Sequence, residues 1–290
     1  MVLPLAVARR HESLRGYGAA MTLTPPLATL TAEQHHLVVR WHEPGIAEVI
    51  LSNPSQRNAM SGVMTQAWRM TMTELERLPE LRVVVVRGEG SAFCAGGDLG
   101  WLAEGGSASV AELTARMDGF YADWLSITEL RVPTVAYLNG PAIGAGAAVA
   151  LACDIRWAGP RARFGVPFTR LGLHAGMGTT FLLPQAVGPA MARDLLLTSR
   201  TLDTRAMLAC GLATAEIEDT ALLDQVRRIA GNAPLALGLT KRGLVPSAPV
   251  SLAEALRWEG VVQPVTMTTA DVQEGLAAAR ERREPQFRGV

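Results

Sequence analysis

Two segments rich in glycine and alanine are the residues of this chain most able to do chemistry. They are SAFCAGGDL at residues 91–99 and NGPAIGAGA at residues 139–147, and each follows a strand-like run and leads into a helix-like stretch. A helix that begins at such residues leaves its first backbone N–H groups without partners, and small side chains let a ligand oxygen approach them closely. Two such sites facing each other predict a two-donor pocket for an oxyanion, and hence carbonyl chemistry through an enolate or a tetrahedral anion.

The sequence around these segments predicts strands that alternate with helices. Residues 37–41 and 46–51 predict paired strands around a turn at residues 43–45, and residues 61–78 predict a helix with Ser61 as its N-cap. Further strands are expected at 83–86, 134–138, 155–158 and 162–164, and further helices over 110–130 and up to about residue 153. From residue 179 onward the sequence is mostly helical, with one apolar strand near 213–217 and helix ends or turns at Gly188-Pro189, Gly211, residues 232–234 and Val245-Pro246. This order predicts an α/β fold followed by a helical region.

The two small-residue segments also resemble a known family. FCAGGDL at residues 93–99 and NGPA at residues 139–142 are similar to the two oxyanion segments of the enoyl-CoA hydratase/isomerase (crotonase) superfamily. The likeness runs in order from about residue 38 to the end, through the further motifs NP…NAM at 53–60, CDI at 153–155, ARFGVP at 162–167, LGLHAGMGT at 171–179 and EG…RERR…F at 274–287. The resemblance implies a crotonase-like spiral of ββα units, followed by a helical C-terminal region that forms trimers.

The resemblance also implies an organisation of the whole chain. We expect an N-terminal extension at residues 1–36, a ββα core with the acyl-CoA site at residues 37–200, and a mainly helical region at residues 201–290. We expect this extension to be a flexible segment, or the product of a start codon assigned upstream of the one at Met21. Its several arginines and scarce acidic residues also fit a targeting segment. The expected partners are a small-molecule acyl-CoA and further copies of the chain, as a homotrimer or a hexamer of two trimers.

The resemblance assigns roles to individual residues. It implies that the amides of Ala95 and Ala145 bind the thioester oxygen of the substrate. It further implies a CoA-binding set composed of Arg57, Ala59, Ala95, Gly96, Gly97, Asp98, Leu99 and Arg282. Asp98 has an ordinary alternative as a helix N-cap, and Arg57 and Arg282 have one as solvated surface charges. No cofactor is expected beyond the CoA moiety of the substrate, and no metal.

The acid and base positions depart from the family's pattern. Hydratases of this family hold one water with two glutamates, and the matching positions here are Ala148 and Phe168. The acid that related isomerases use matches Gly176. None of these three side chains can move a proton, so ordinary hydration would lose two acid/base contributions of about 10²–10⁴-fold each.

His174 is then the remaining candidate for a proton carrier in the matched stretch. An unperturbed histidine titrates near neutrality and can act as acid or base. The alternative is a buried, neutral histidine that is hydrogen-bonded to the backbone. Arg170, as an anion partner, and Glu104, in a loop that could fold over the acyl group, are second-line candidates.

Composition and motifs exclude several other classes. The 27 basic residues balance 27 acidic ones, so no overall field favours nucleic acid or a membrane surface, and no uncharged apolar run is long enough for a membrane span. The three cysteines read as reduced core thiols of a cytoplasmic protein: Cys94, Cys153 and Cys210. The glycines at 144 and 146 lack the third glycine and the ribose-binding acid of a dinucleotide site, and no Gly-x-Ser-x-Gly elbow exists.

Three functions remain open from the sequence. The first is an acyl-CoA enzyme of the hydratase/isomerase kind that stabilises a thioester enolate and uses His174 or an acid from elsewhere. The second is a CoA-thioester decarboxylase or hydrolase of the same superfamily, since decarboxylation needs an oxyanion pocket and no strong base. The third is an acyl-CoA binder without turnover.

Overall fold

The structure is a computed structural model that describes residues 36–97, 108–244 and 251–290. The strands are β1 (Leu37–His42), β2 (Ile46–Leu51), β3 (Val83–Gly88), β4 (Thr134–Leu138), β5 (Pro141–Ile143), β6 (Ile155–Ala158), β7 (Arg163–Gly165), β8 (Thr201–Asp203) and β9 (Ala215–Glu216). The α-helices are α1 (Gly62–Arg77), α2 (Val110–Leu125), α3 (Ala145–Ala152), α4 (Thr179–Thr198), α5 (Thr204–Ala209), α6 (Leu222–Ala230), α7 (Pro234–Leu244), α8 (Leu252–Met267) and α9 (Ala270–Glu281).

The strands form one large and one small sheet. The large sheet has six strands in the order β1-β2-β3-β4-β6-β9, in which β1 and β2 are antiparallel and all other neighbours are parallel. The small sheet has the order β5-β7-β8. The chain passes from β4 in the large sheet to β5 in the small one, then through α3 to β6 and on to β7, which is the ββα repeat that the sequence predicted. The predicted fold class is confirmed.

Helix α1 shows how the sequence builds the layer behind the site. Ser61 caps the helix as predicted, because its side chain accepts a hydrogen bond from the backbone N–H of Met64. Apolar residues recur on one face at helical spacing, and this face is buried against the large sheet. Trp68 on that face stacks on Trp124 of α2, with 4.7 Å between the ring centres, which fixes the two helices against each other.

One predicted helix end differs in the structure, and one predicted break is present as a kink. The helix expected over residues 110–130 ends as an α-helix at Leu125 and continues as a 3₁₀ turn, Ser126–Glu129. The turn expected at Gly188-Pro189 is a kink inside α4, where Gly188 adopts φ 76° and ψ 158°. A glycine accepts this conformation at little cost, and the following proline needs no N–H bond at the start of the second helical half.

The C-terminal region is tied to the core by a few long side chains. Lys241 of α7, 9% exposed, lies 2.9 Å from Asp154 Oδ2 and donates to the carbonyl of Val132 at 2.8 Å. Strands β8 and β9 belong to the later part of the chain but pair with β7 and β6. Helix α8 contrasts with these elements, since none of its residues is buried in the single chain. Within the described residues, no helix is both long and apolar enough to cross a membrane.

Candidate active site

Two buried asparagines shape the first small-residue segment. The side-chain amide of Asn58 donates to three carbonyls within residues 89–93, at 2.8 to 3.3 Å, and its oxygen accepts from the backbone N–H of Asn53. Asn139 accepts from the N–H of Gly88 at 2.9 Å and donates to the same stretch. The motifs at residues 53–60 and at 139–142 therefore hold the chain after β3 in one conformation.

The first segment lies directly against the second one. Cys94 pairs with Ala142 in an isolated parallel bridge, and the N–H of Ile143 donates to the carbonyl of Cys94 at 2.9 Å. Gly146, in the first turn of α3, allows this approach: a Cβ there would lie 2.4 Å from the carbonyl oxygen of Cys94. The two segments expected to face each other are thus in contact.

The N-terminus of α3 presents the backbone N–H of Ala145 next to the first segment. Gly144 is the N-cap and supplies no capping side chain, and its carbonyl accepts the N–H of Ala148 at 3.1 Å. Because the C=O and N–H of one trans peptide point in opposite directions, the N–H of Ala145 points out of the helix end. Among the described residues, this N–H has no hydrogen-bond acceptor. It is therefore available to a ligand.

The prediction that the amide of Ala95 is the other free donor is wrong. Its N–H donates to the carbonyl of Arg57 at 2.9 Å and is therefore already used. The thiol of Cys94 donates to the carbonyl of Asn58 at 3.0 Å, and burial raises its pKa to about 12. A ligand oxygen would therefore not find the Ala95 amide free.

The backbone N–H of Gly97, two residues further on, differs from that of Ala95. The carbonyl of Gly96 accepts the N–H of Met60 at 2.8 Å, so the N–H of Gly97 in the same peptide points away from Met60. This N–H has no acceptor within the described part of the chain. Gly96 adopts φ 101°, which glycine accepts readily, and a Cβ on it would lie 3.4 Å from the Ala145 nitrogen. The Gly96–Gly97 peptide is therefore a neighbour of the Ala145 amide.

A cavity of about 170 Å³ opens at these two amides. Among the described residues that line it, Tyr121 and His174 are the ones whose side chains carry a proton on oxygen or nitrogen. The rest of the wall is apolar or backbone: Ala95, Gly96, Gly97, Met117, Phe120, Ile143, Gly144, Ala145, Pro167, Phe168, Leu171, Leu173, Gly176 and Met177. This volume suits a short acyl group and is below the usual range for a complete ligand of CoA size.

His174 lines the cavity but is exposed, so it is not the buried histidine of the alternative prediction. Its Nδ1 lies 2.7 Å from the carbonyl oxygen of Ala175. A carbonyl only accepts, so Nδ1 carries the proton and the neutral ring keeps a lone pair on Nε2. His174 can therefore take up a proton through Nε2.

Ala148, Phe168 and Gly176, which the resemblance matches to acidic positions of the family, differ in their surroundings. Ala148 is fully buried inside α3 and does not line the cavity, whereas Phe168 forms part of its wall. Gly176 also lines the cavity, and the hydroxyl of Tyr121 lies against it: a Cβ on Gly176 would be 2.5 Å from that oxygen. Tyr121 was not singled out from the sequence. The signal available was its position four residues after Met117 on the same face of the predicted helix.

The residues expected to contact CoA are placed unevenly. Arg57 is exposed in a left-handed conformation (φ 51°) directly beside the first segment, and Ala59 follows it in the same turn. Arg282 is exposed at the C-cap of α9 and is not among the residues that line the cavity. Arg170 is exposed in the 3₁₀ turn Thr169–Leu171. Asp98, Leu99 and Glu104 lie outside the described residues.

Comparison with known proteins defines the class to which this fold and site belong. The sequence profile described as "Enoyl-CoA hydratase/isomerase" matches residues 42–290. The chain belongs to the enoyl-CoA hydratase/isomerase family.

Individual relatives agree with this assignment. The chain is 35% identical over 253 residues to a putative enoyl-CoA hydratase of Thermus thermophilus, a match that covers 83% of this chain and 97% of the relative. It is 34% identical over 254 residues to the mitochondrial enoyl-CoA hydratase domain-containing protein 2 of Bos taurus, covering 84% of this chain and 85% of the relative. Among solved structures, a putative enoyl-CoA hydratase of Streptomyces coelicolor A3(2) superposes with a TM-score of 0.82 at 33% identity, covering 93% of this chain and 98% of that one.

Proposed function

We propose that the protein is an enzyme acting on acyl-CoA thioesters, and that the N–H groups of Gly97 and Ala145 stabilise the thioester enolate. One observation carries the proposal: two neighbouring backbone donors without acceptors in the described chain open onto one apolar cavity. A thioester oxygen that gains charge as the enolate forms would receive both N–H bonds. Because the donors are held by their peptides, they need no rearrangement when the charge develops.

The setting of the two amides supports a charge-stabilising role. Helix α3 is buried over all of its residues, so its dipole places partial positive charge at Ala145 in a region with little water. Removal of one such donor typically costs about 2.7–4 kcal/mol of transition-state stabilisation. The exposed guanidinium of Arg57 beside the first segment suits a phosphate of the CoA moiety.

The reaction we propose passes through the enolate without the water that hydratases hold. Phe168 stands in the cavity wall where the resemblance implies a glutamate, and a phenyl ring cannot orient or deprotonate water. His174 Nε2 is the candidate base for a double-bond shift. The apolar wall at Phe168 gives specific support to a second candidate, decarboxylation of a malonyl-type thioester, because loss of CO₂ gives the same enolate without a base.

A panel of thioesters separates these functions. Crotonyl-CoA, a 3-enoyl-CoA, malonyl-CoA and methylmalonyl-CoA would be incubated with the full chain, and hydration, double-bond shift, CO₂ release and free CoA followed. Double-bond shift or CO₂ release supports the proposed enolate chemistry, and free CoA alone points to hydrolysis. Tight binding without turnover of any member would refute enzyme activity and leave an acyl-CoA binder.

We further propose that the chain assembles through its C-terminal helices, as a trimer or as two stacked trimers. The supporting feature is α8, which exposes large apolar side chains along its length: Leu252, Leu256, Val261, Val265 and Met267. Several large apolar side chains exposed on one helix support an interaction site there. Light scattering on the full chain tests this, and a monomer at micromolar concentration would contradict it. The predicted cytoplasmic location stays a prediction, and one relative bears a mitochondrial name.

A further inference from the structure

Tyr121 places a hydroxyl group at the wall of the cavity that contains the two free amides. It lies on α2, is half-buried, and shares the cavity lining with Gly97 and Ala145. A Cβ on Gly176 would lie 2.5 Å from its oxygen and 3.3 Å from its Cζ. Any side chain at residue 176 would displace the phenol. The hydroxyl of Tyr121 fits in this position because residue 176 is a glycine.

The ring of Tyr121 packs next to a cluster of aromatic side chains. Trp124, one turn further along α2, is fully buried and stacked on Trp68. The ring of Phe120 contacts both neighbours, with 6.3 Å between its centre and that of Tyr121 and 6.4 Å between its centre and that of Trp124. Aromatic packing of this kind limits the side-chain rotamers. The Tyr121 hydroxyl is thus presented at a defined position, and it has no hydrogen-bond partner among the described residues.

The chemistry of the cavity leaves few groups that can return a proton to carbon. Of the described lining side chains, only Tyr121 and His174 carry an exchangeable proton on oxygen or nitrogen. In His174 the proton on Nδ1 is bonded to the carbonyl of Ala175, which leaves the lone pair of Nε2 for other partners. His174 is therefore suited to accept a proton and Tyr121 to donate one.

We infer that Tyr121 is a catalytic residue whose hydroxyl delivers a proton to carbon: to the α-carbon of the enolate that decarboxylation leaves, or to the γ-carbon of the dienolate in the double-bond shift of a 3-enoyl thioester; this inference rests on the proposed function. In that step the electron pair of the enolate C=C bond takes the phenolic proton. A C–H bond forms, the O–H bond of Tyr121 breaks, and the thioester C=O bond forms again. The negative charge leaves the two amides and passes to the phenolate, which regains a proton from solvent at the open side of the cavity.

Replacement of Tyr121 by phenylalanine tests the step, because it removes the hydroxyl and keeps the ring. With the panel thioester that the wild type turns over, Tyr121→Phe is expected to lower kcat by about 10²-fold or more, with the Kd of a non-reacting CoA thioester unchanged. The matched control is Tyr137→Phe, since Tyr137 donates to the carbonyl of Ile217 and to Asp219 away from the cavity. That control is expected to lower Tm and leave kcat unchanged.

A second variant tests the contact with residue 176. Gly176→Ala would push the phenol aside and is expected to lower kcat as much as Tyr121→Phe does. In the Tyr121→Phe background, the oxygen that clashes is absent, so the added alanine is expected to cost little more. Losses that multiply in the double variant would overturn the inference.

The outcomes also separate this inference from the proposed function. An active wild type with an equally active Tyr121→Phe variant overturns the role of Tyr121 alone. A wild type that binds thioesters and turns over none of them overturns both, because no enolate is then formed.

Discussion

Replacement of Ala145 by proline deletes one backbone N–H from the proposed oxyanion pair. Ala145 is the first residue of α3, where proline is well accepted because its fixed φ fits the helix and the N–H has no intrahelical acceptor. The fold therefore loses no hydrogen bond. The enolate loses one of two donors, and the added ring carbon occupies part of the space beside the nitrogen.

The expected loss follows from the number of donors. One donor at such a site contributes about 2.7–4 kcal/mol, which predicts that kcat falls by about 10²–10³-fold in Ala145→Pro. The matched control is Ala145→Gly, which removes a methyl group and keeps the N–H. We expect its kcat to stay within about threefold of the wild type, since a glycine near a helix start costs at most about 1 kcal/mol of stability.

The assay compares kcat, the Kd of a non-reacting CoA thioester and Tm for the wild type and both variants. A folded Ala145→Pro variant with wild-type kcat would refute the role of this amide. An equal loss in Ala145→Gly would show that the methyl group, and not the N–H, is what matters.

Three further predictions concern other parts of the molecule. His174→Ala is expected to abolish a double-bond shift while thioester binding is retained, and unchanged turnover would remove His174 from the mechanism. Asn58→Ala removes the side-chain hydrogen bonds to three carbonyls and one N–H, of which the carbonyl of Ala92 keeps Asn139 as a second donor at 3.4 Å, so the free energy of unfolding in urea should fall by more than about 2 kcal/mol, and a loss below about 0.5 would contradict this reasoning. Glu48 is buried, which raises its pKa, but the hydrogen bond from His42 and the nearby positive charges outweigh burial and lower the pKa below its ordinary value of 4.5. Its stabilising effect is thus present above pH 4.5 and lost as the pH falls toward the lowered pKa, so the stability difference between wild type and Glu48→Gln should narrow below pH 4.5.

Local patterns in the sequence were sufficient for most of the architecture. The strand pair at the start of the described chain, the cap at Ser61 and the alternation of strands and helices depend on residues near each other in sequence, and the structure confirms them. The break predicted at Gly188-Pro189 is present as a kink that divides α4 into two halves, both of which pack against the core.

The sequence indicated which two segments lie together, but not which backbone N–H groups in them are free. Three successive amides, at residues 95 to 97, look alike in the sequence. Which of them can bind a ligand depends on groups far away in the sequence, because the carbonyl of Arg57 accepts the N–H of Ala95. Tyr121 was missed for a related reason: only the folded chain brings its helix against Gly176.

The short helix α3 has a consequence for the whole chain. At eight residues it is a rod about 12 Å long, with the Ala145 donor at one tip and Asp154 just beyond the other. Asp154 forms a salt bridge with Lys241 of α7, which is the single lysine of the protein. Because α3 is buried over its whole length, a displacement at its Asp154 end is expected to be transmitted to its Ala145 end. A change in how the C-terminal helices dock is therefore expected to move the backbone N–H of Ala145.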